Sequence, residues 1–341
     1  GLSMPQVHVK KGNAKKILML LVVLLVFLGM IGGISLSESK KKKEAMLVQS
    51  EIDETARRRR EGWVNRDGVW YVPKEDQETF LMIGLDQTEP MKESESYNNS
   101  VQADFLLLAI FDEKEDTTTI LHINRDTMAE IPVLGVNGQP AGTITGQLAL
   151  SHTYGSGLQD SCMNTVTAVS DFLYGIKINH YVAMTMGAVP YINDLVGGVP
   201  VTVLDDFSGI DSSLVKGETI TLNGEQALHY VRNRAELEDS SNLNRMKRQQ
   251  QYLASMAERI GALDDDFSVS TQQVATIAKY IISDCSIDTL SKMAEQFAKY
   301  PLQEMQDIKG EAIEGEEFME FYPDEEKLAE QVLELFYEVK E

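Results

Sequence analysis

The sequence is poor in the residues that mark zinc, disulfide-rich or nucleic-acid-binding proteins. Its 341 residues include two cysteines, and no Cys-x-x-Cys or Cys/His spacing suggests a zinc site. Cys162 and Cys285 could pair in an extracellular domain, but two separate buried thiols are the simpler interpretation. The 31 Lys and Arg stand against 53 Asp and Glu, a formal net charge of −22. Since an acidic protein repels nucleic acid backbones, and no helix-turn-helix pattern is present, nucleic acid binding is not expected.

One long apolar run lies near the start of the chain. Residues 17–34 read ILMLLVVLLVFLGMIGGI, eighteen positions without a charge, which is about the minimum length to cross a hydrocarbon core of about 30 Å. A cleaved signal peptide is the alternative, with residues 35–37 as a cleavage site, but the run is long for the roughly 7–15 apolar residues of such peptides. We therefore predict an uncleaved transmembrane helix over 17–36. Lysines flank it on both sides, so the positive-inside rule leaves its orientation open.

The apolar run divides the chain into four predicted segments. Residues 1–16 form a short tail, 17–36 the transmembrane helix, 37–78 a charged stalk and linker, and 79–341 one large domain. With 43% hydrophobic and 25% charged residues, the chain has the balance of a folded protein rather than a disordered one.

The large domain has the alternating strands and helices of an α/β fold. We predict a central, mostly buried β-sheet flanked by helices on both faces. Before it, Asp67-Gly68 marks the turn of a hairpin over 63–72. The expected strands are 79–86, 103–111, 117–124, 180–184 and 317–321. The expected helices are 165–174, 188–196, 225–231, 243–260, 274–282, 290–297 and 324–337.

Charged residues stand at the ends of three apolar strands. Asp86 ends the first, Asp104 opens the second, and Arg125 and Asp126 follow the third. Ligands bind at strand ends in open α/β sheets, and a charge beside a buried strand is costly unless it is paired. Two carboxylates brought together need a cation, and oxygen ligands suit Mg²⁺. Taken singly, each aspartate could instead cap a turn.

Five basic residues gather between Arg232 and Arg248, against the acidic trend of the chain. Arginine is suited to phosphate because its guanidinium binds phosphate oxygens bidentately. Arg245 and Arg248 are three residues apart, and Gln249 is four from Arg245, so they are neighbours on a helix. The alternative is a solvated helix face neutralised by the acidic residues of 236–239. Four arginines within seventeen residues favour an anion site.

The order of these motifs resembles the LytR-CpsA-Psr family of cell-wall phosphotransferases. The similarity covers roughly residues 79–260. The motifs that carry it are GLD (Gly84–Asp86), Ala103-Asp104, NRDT (Asn124–Thr127), YVRNR (Tyr230–Arg234) and NRMKRQQ (Asn244–Gln250).

The resemblance implies a single-pass membrane enzyme with an extracytoplasmic domain. Such enzymes move a glycopolymer from a polyprenyl-pyrophosphate carrier to a peptidoglycan hydroxyl, so the expected partners are that lipid-linked polymer, peptidoglycan and the membrane. Asp86 and Asp104 would hold Mg²⁺ on the pyrophosphate, and Asp104, Arg125 and Asp126 would be catalytic. The residues expected to bind the pyrophosphate are Arg125, Arg232, Arg234, Arg245, Arg248 and Gln249.

The sequence departs from the family pattern at three positions. Ala103 and Phe105 flank the aspartate where the family usually has Ser and Thr, and Asn124 stands where it has Pro. Gln147-Leu148-Ala149 replaces a usual Lys-Ile-Asn or Lys-Leu-Asn, so one cation of the family site would be missing. Two alternatives therefore stay open: a non-catalytic polyprenyl-phosphate-binding regulator of cell-wall metabolism, and a polyprenyl-pyrophosphate hydrolase.

The general base is not readable from the sequence. Asp126 and the two metal-side aspartates are candidates. A histidine such as His122, His152 or His229 could also be proposed, although a packing or hydrogen-bonding role is favoured for each of them.

Overall fold

The computed structural model describes residues 62–340, apart from 86, 97, 234–241, 265, 287, 291, 294–295 and 297–305. The predicted tail (1–16), transmembrane helix (17–36) and first part of the stalk (37–61) lie outside these residues. Within the part that is described, no helix is both long and apolar enough to cross a membrane.

Strands and helices alternate along the described residues. The strands are β1 (Val64–Arg66), β2 (Val69–Pro73), β3 (Gln77–Leu85), β4 (Ala103–Asp112), β5 (Thr117–Ile123), β6 (Met128–Leu134), β7 (Pro140–Gln147), β8 (His180–Thr185), β9 (Val199–Thr202), β10 (Thr219–Leu222), β11 (Ile281–Ser283), β12 (Gln306–Asp307), β13 (Gly310–Glu314), β14 (Met319–Pro323) and β15 (Tyr337–Val339). The α-helices are α1 (Gln159–Phe172), α2 (Ala188–Leu195), α3 (Gly224–Arg232), α4 (Asn242–Gly261), α5 (Thr271–Ala278) and α6 (Glu325–Phe336). Two short 3-10 helices span Val136–Gly138 and Leu148–Thr153.

A mixed six-stranded sheet is central to the fold, in the order β11-β8-β3-β4-β5-β12. β4 and β5 are antiparallel from Leu106 opposite Ile123 to Asp112 opposite Thr117, whereas β12 joins β5 in parallel. β3 and β4 are buried along nearly their whole length, as their continuous apolar runs predicted. The protein is therefore an α/β fold with a central sheet flanked by helices, which confirms the predicted class.

The described chain divides into two compact units. The first unit comprises 84–92 and 182–299, and the second comprises 62–83, 93–181 and 306–340.

The second unit opens with the predicted hairpin. β1 and β2 pair antiparallel, with Val64 opposite Tyr71. Asp67 (φ 52°) and Gly68 (φ 82°) are both left-handed, as the two central residues of a type I′ turn must be. β15 then extends this sheet antiparallel to β2, with Tyr337 opposite Pro73.

Two further hairpins of the second unit were not expected from the sequence as such. β6 and β7 pair antiparallel, and neither strand was predicted. β13 and β14 also pair antiparallel, and of these two only β14 was predicted, as the strand 317–321. The β6–β7 hairpin buries little apolar surface apart from Ile131. Its sequence therefore lacks the alternation of apolar and polar residues from which a half-buried strand is predicted.

In the first unit, one predicted helix is half wrong. The segment 274–282 was expected to be helical throughout, but α5 ends at Ala278 and Ile281–Ser283 form β11. Ile281 lies opposite Met184 of β8, so the backbone groups of this segment pair along a strand. A short apolar run does not distinguish a helix end from a strand, and β-branched isoleucines favour the strand. The predicted helix 290–297 lies partly outside the described residues.

Candidate active site

Three charged side chains meet where β4 begins and β5 ends. Asp104 is the second residue of β4, and Arg125 and Asp126 follow β5. Because the strands are antiparallel, with Leu106 opposite Ile123, the start of one lies beside the end of the other. Arg125 Nη2 is 3.0 Å from Asp104 Oδ1, and Nη1 is 2.8 Å from Asp126 Oδ1. The second unit thus brings three of the predicted site residues together.

The cluster is half-buried and reachable. The side chains of Asp104, Arg125 and Asp126 are 34%, 30% and 24% exposed. Arg125 Nη2 also donates to Gln102 Oε1. Burial raises the pKa of Asp126 above its ordinary value, and the Arg125 guanidinium opposes that rise without cancelling it. A carboxylate with a raised pKa accepts a proton more readily, which is the property that a general base needs.

Asp126 is also held by Gln147, the last residue of β7. Gln147 Nε2 donates to Asp126 Oδ1 at 3.0 Å and to the carbonyl oxygen of Met319 at 2.7 Å. The backbone N–H of Phe321 donates to the carbonyl oxygen of Asp126 at 2.9 Å. Strand β14 therefore contacts the site loop directly. The sequence analysis gave Gln102 no role, because an uncharged amide adds nothing to a charge pattern, and it treated Gln147 only as the loss of a family cation, not as a donor to Asp126.

Asn124 shapes the loop that carries the cluster. Its Oδ1 accepts from the backbone N–H of Asp126 at 2.8 Å, and its carbonyl oxygen accepts from Thr127 Oγ1 at 2.6 Å. This is the local side-chain-to-backbone pattern that asparagine supports in turns. Asn124 therefore holds the turn at the position where the family pattern has proline.

In the first unit, Arg248 is at the centre of a buried polar network. It is 0% exposed. Nε lies 2.9 Å from Asp205 Oδ2, and the two Nη atoms donate to the carbonyl oxygens of Tyr230 and Asn233. The guanidinium carbon lies 5.0 Å from the ring centroid of Phe207. Arg248 has no exposed edge with which to make the phosphate contact predicted for it; its contacts instead fix the C-terminal end of α3.

Gln249 grips the same stretch of backbone. It is 7% exposed, and its Nε2 donates to the carbonyl oxygen of Val231 at 2.8 Å. Arg248 and Gln249 thus bind carbonyls on both sides of Arg232, the exposed last residue of α3. These hydrogen bonds hold the backbone on both sides of Arg232, and the Arg232 side chain lies at the surface.

The other predicted site residues are not placed. Asp86 and Arg234 lie outside the described residues, and Arg245 belongs to α4 but its side chain is not described. Their predicted roles stay predictions.

The histidines considered as bases have partners within the fold. His122 Nδ1 lies 2.9 Å from Asp307 Oδ1, and His152 Nδ1 lies 2.8 Å from the carbonyl oxygen of Val101. His229 Nδ1 lies 3.2 Å from Asp211 Oδ2. Burial lowers the pKa of His152 below its ordinary value. These contacts agree with a packing and hydrogen-bonding role. Both cysteines are thiols.

Comparison with known proteins decides the relationship. The model of the LytR_cpsA_psr family matches residues 36–335. The chain belongs to this family. The resemblance drawn from five short motifs is therefore confirmed, and it extends well beyond the 79–260 stretch that carried it.

Named relatives in the family are transferases. The polyisoprenyl-teichoic acid–peptidoglycan teichoic acid transferase TagU of Enterococcus faecalis is 26% identical over 303 residues, covering 88% of this chain and 87% of the relative. TagU of Bacillus subtilis is 26% identical over 276 residues, covering 78% and 80%. A solved structure of TagT bound to LIIa-WTA is 25% identical with a TM-score of 0.50, covering 76% of this chain and 90% of that chain.

Proposed function

We propose that the protein is a Mg²⁺-dependent phosphotransferase that moves a glycopolymer from a polyprenyl-pyrophosphate carrier to a peptidoglycan hydroxyl. Family membership and the names of the TagU relatives support the reaction class. The observation in this chain that carries the proposal is the Arg125 guanidinium held between Asp104 and Asp126. The apolar run at 17–34 supports a single membrane anchor, with the catalytic domain on the extracytoplasmic side where peptidoglycan lies.

Arg125 is the proposed anion contact of this cluster. Its two Nη atoms lie beside the flanking carboxylates, and its side chain is 30% exposed, so a phosphate oxygen can reach the guanidinium from solvent. A guanidinium binds phosphate oxygens through charge-assisted hydrogen bonds. Arg232, whose backbone Arg248 and Gln249 hold, is proposed to bind phosphate as well.

The donor chemistry at Asp104 fits a hard cation. Its carboxylate is partly exposed, and carboxylate oxygens are ligands that Mg²⁺ prefers. Asp86 is proposed as the second ligand. When bound, Mg²⁺ would neutralise charge on the pyrophosphate oxygens, which two aspartates beside a single arginine cannot do.

The transfer follows from these positions. Asp126 takes the proton of the acceptor hydroxyl as the hydroxyl oxygen forms a bond to the phosphorus that carries the glycopolymer. The bond from that phosphorus to the polyprenyl phosphate oxygen breaks, and its electron pair leaves with the polyprenyl phosphate. Arg125 stabilises the charge on the phosphate oxygens during the exchange. Asp126 afterwards releases the proton to water.

The test follows the lipid product. The purified protein is given a polyprenyl-pyrophosphate glycan and Mg²⁺, with and without peptidoglycan fragments. Transfer releases polyprenyl phosphate only when the acceptor is present. Release without acceptor would mean hydrolysis, and no release would mean a binding protein; either result contradicts the proposal.

Asp104→Asn is the decisive variant. The amide keeps the shape of the side chain but removes the negative charge that binds the cation and orients Arg125. We expect turnover to fall at least about 100-fold, with unchanged thermal unfolding. Asp67→Asn is the matched control, since it makes the same substitution in a left-handed turn position that asparagine tolerates. Full activity of Asp104→Asn would show that the site is elsewhere.

A further inference from the structure

One oxygen of Asp126 receives both of the side-chain hydrogen bonds. Arg125 Nη1 and Gln147 Nε2 both donate to Oδ1, at 2.8 and 3.0 Å. No described residue donates to Oδ2, and the side chain is 24% exposed. The two carboxylate oxygens are therefore in different environments, one held by the protein and one open.

We propose that Gln147 is a positioning residue for the transfer reaction. By holding Oδ1 together with Arg125, it presents Oδ2 as the oxygen that takes the proton from the acceptor hydroxyl. The inference rests on the proposed function. It gives Gln147 a role in the reaction, whereas the sequence indicated only that a lysine of the family site is absent at this position.

The orientation of the Gln147 amide is determined by its surroundings. The Met319 carbonyl oxygen can only accept a hydrogen bond, and the Asp126 carboxylate can only accept one while it is ionised, so the NH₂ group faces both of them. Gln147 is 5% exposed, which limits other rotamers and access of water.

The backbone of Asp126 is fixed independently of Gln147. Its N–H donates to Asn124 Oδ1, and its carbonyl oxygen accepts from the N–H of Phe321. Rotation of the Asp126 carboxylate is therefore the freedom that Gln147 and Arg125 restrict together. A positioned base contributes to rate through such alignment.

A purely structural role is the competing explanation. Through Met319, Gln147 also ties β7 to β14, and loss of that tie alone would loosen the hairpin. The two roles differ in the titration of Asp126. A donor to Oδ1 favours the charged carboxylate, so its removal raises the pKa of Asp126, whereas a loosened hairpin would expose Asp126 and lower it.

The experiment compares Gln147→Leu, which keeps the volume but removes the donor, with Gln147→Lys, which keeps a donor. Gln139→Leu is the control, since Gln139 is an exposed residue next to the same hairpin strand. The Asp126 carboxyl is followed by ¹³C NMR of aspartate-labelled protein, with its signal assigned by loss in Asp126→Asn. Transfer kinetics with the polyprenyl-pyrophosphate glycan are measured in parallel.

We expect Gln147→Leu to raise the pKa of Asp126 and to lower kcat about 10- to 100-fold, with the KM for the lipid donor unchanged. Gln147→Lys should lower that pKa below the wild-type value and restore most of kcat, and Gln139→Leu should match wild type. The proposal is overturned if Gln147→Leu leaves the Asp126 titration unchanged, or if Leu and Lys reduce kcat equally.

Failure of the proposed function is a separate result. A wild-type protein that releases no polyprenyl phosphate contradicts the transferase but leaves the carboxyl titration measurable. A shift in that titration would still show that Gln147 holds Asp126, and its absence would still overturn the assignment.

Discussion

Replacing Arg248 by methionine separates two roles for this residue, a phosphate ligand and an internal clamp. The substitution removes the ion pair with Asp205 and the hydrogen bonds to the carbonyls of Tyr230 and Asn233. Methionine fills much of the volume of the arginine stem, so the cavity contribution is small.

The magnitude follows from the burial. Breaking a buried ion pair by removing one partner costs about 3–5 kcal/mol, because the remaining charge is left uncompensated. Arg248 is 0% exposed, but the Asp205 side chain is 19% exposed and can recover part of its hydration. We therefore expect the free energy of unfolding to fall by about 3 kcal/mol, at the lower end of that range.

Urea unfolding followed by circular dichroism measures this loss. Arg259→Met is the matched control on the same helix. Arg259 also donates to two backbone carbonyls, those of Val196 and Gly197, but from a partly exposed position. We expect a loss of about 1 kcal/mol or less there. The double variant with Asp205→Asn should lose less than the sum of the single variants, since the two residues share one interaction.

The clamp is refuted if Arg248→Met unfolds at the wild-type urea concentration and yet loses affinity for the lipid donor. That outcome would restore the direct phosphate contact predicted from the sequence. With the clamp, affinity falls as well, but only together with stability, because the backbone around Arg232 is no longer fixed.

Two other predictions concern the folded state. Tyr252→Phe removes the hydroxyl that donates to Asn193 Oδ1 at 2.9 Å in a buried position, so urea unfolding should show a loss of about 1–3 kcal/mol; no change would mean that the hydrogen bond contributes nothing. His122 holds the pKa of Asp307 below its ordinary value, so this pair adds stability above about pH 4 that is lost as the pH falls through the folded-state pKa. Because the Asp307 side chain is 57% exposed, Asp307→Asn should remove less than about 1 kcal/mol at neutral pH and flatten the acid limb of the stability curve; an unchanged acid limb would contradict the coupling.

Much of the sheet was predictable because its signals are local. Asp67-Gly68 predicts a type I′ turn by its backbone preferences alone, and the apolar runs of β3, β4 and β5 are bounded by turn residues. The antiparallel pair β4–β5 then brings Asp104 to Arg125, so the strand-end argument found the charged part of the site.

The remaining parts depend on contacts that are distant in sequence. Arg248 looks like a surface arginine on an amphipathic helix, and only its pairing with Asp205 puts it in the interior. Gln147 donates a hydrogen bond to the carbonyl oxygen of Met319, 172 residues away, and no sequence pattern near Gln147 predicts that contact. The end of the 274–282 segment became a strand because β8 was available to pair with it. Tertiary context overrides local preference in each case.

The order of synthesis gives the β1–β2–β15 sheet a further consequence. β15 completes the edge of β2, and Lys74 Nζ bonds to a carbonyl 260 residues downstream. During translation, the β1–β2 hairpin therefore has an unpaired edge at β2 until residues 337–339 are synthesised. An unpaired strand edge is an aggregation hazard. Such distant pairing also slows folding. A chain truncated before Tyr337 would leave that edge permanently open, so it should aggregate through residues 69–73.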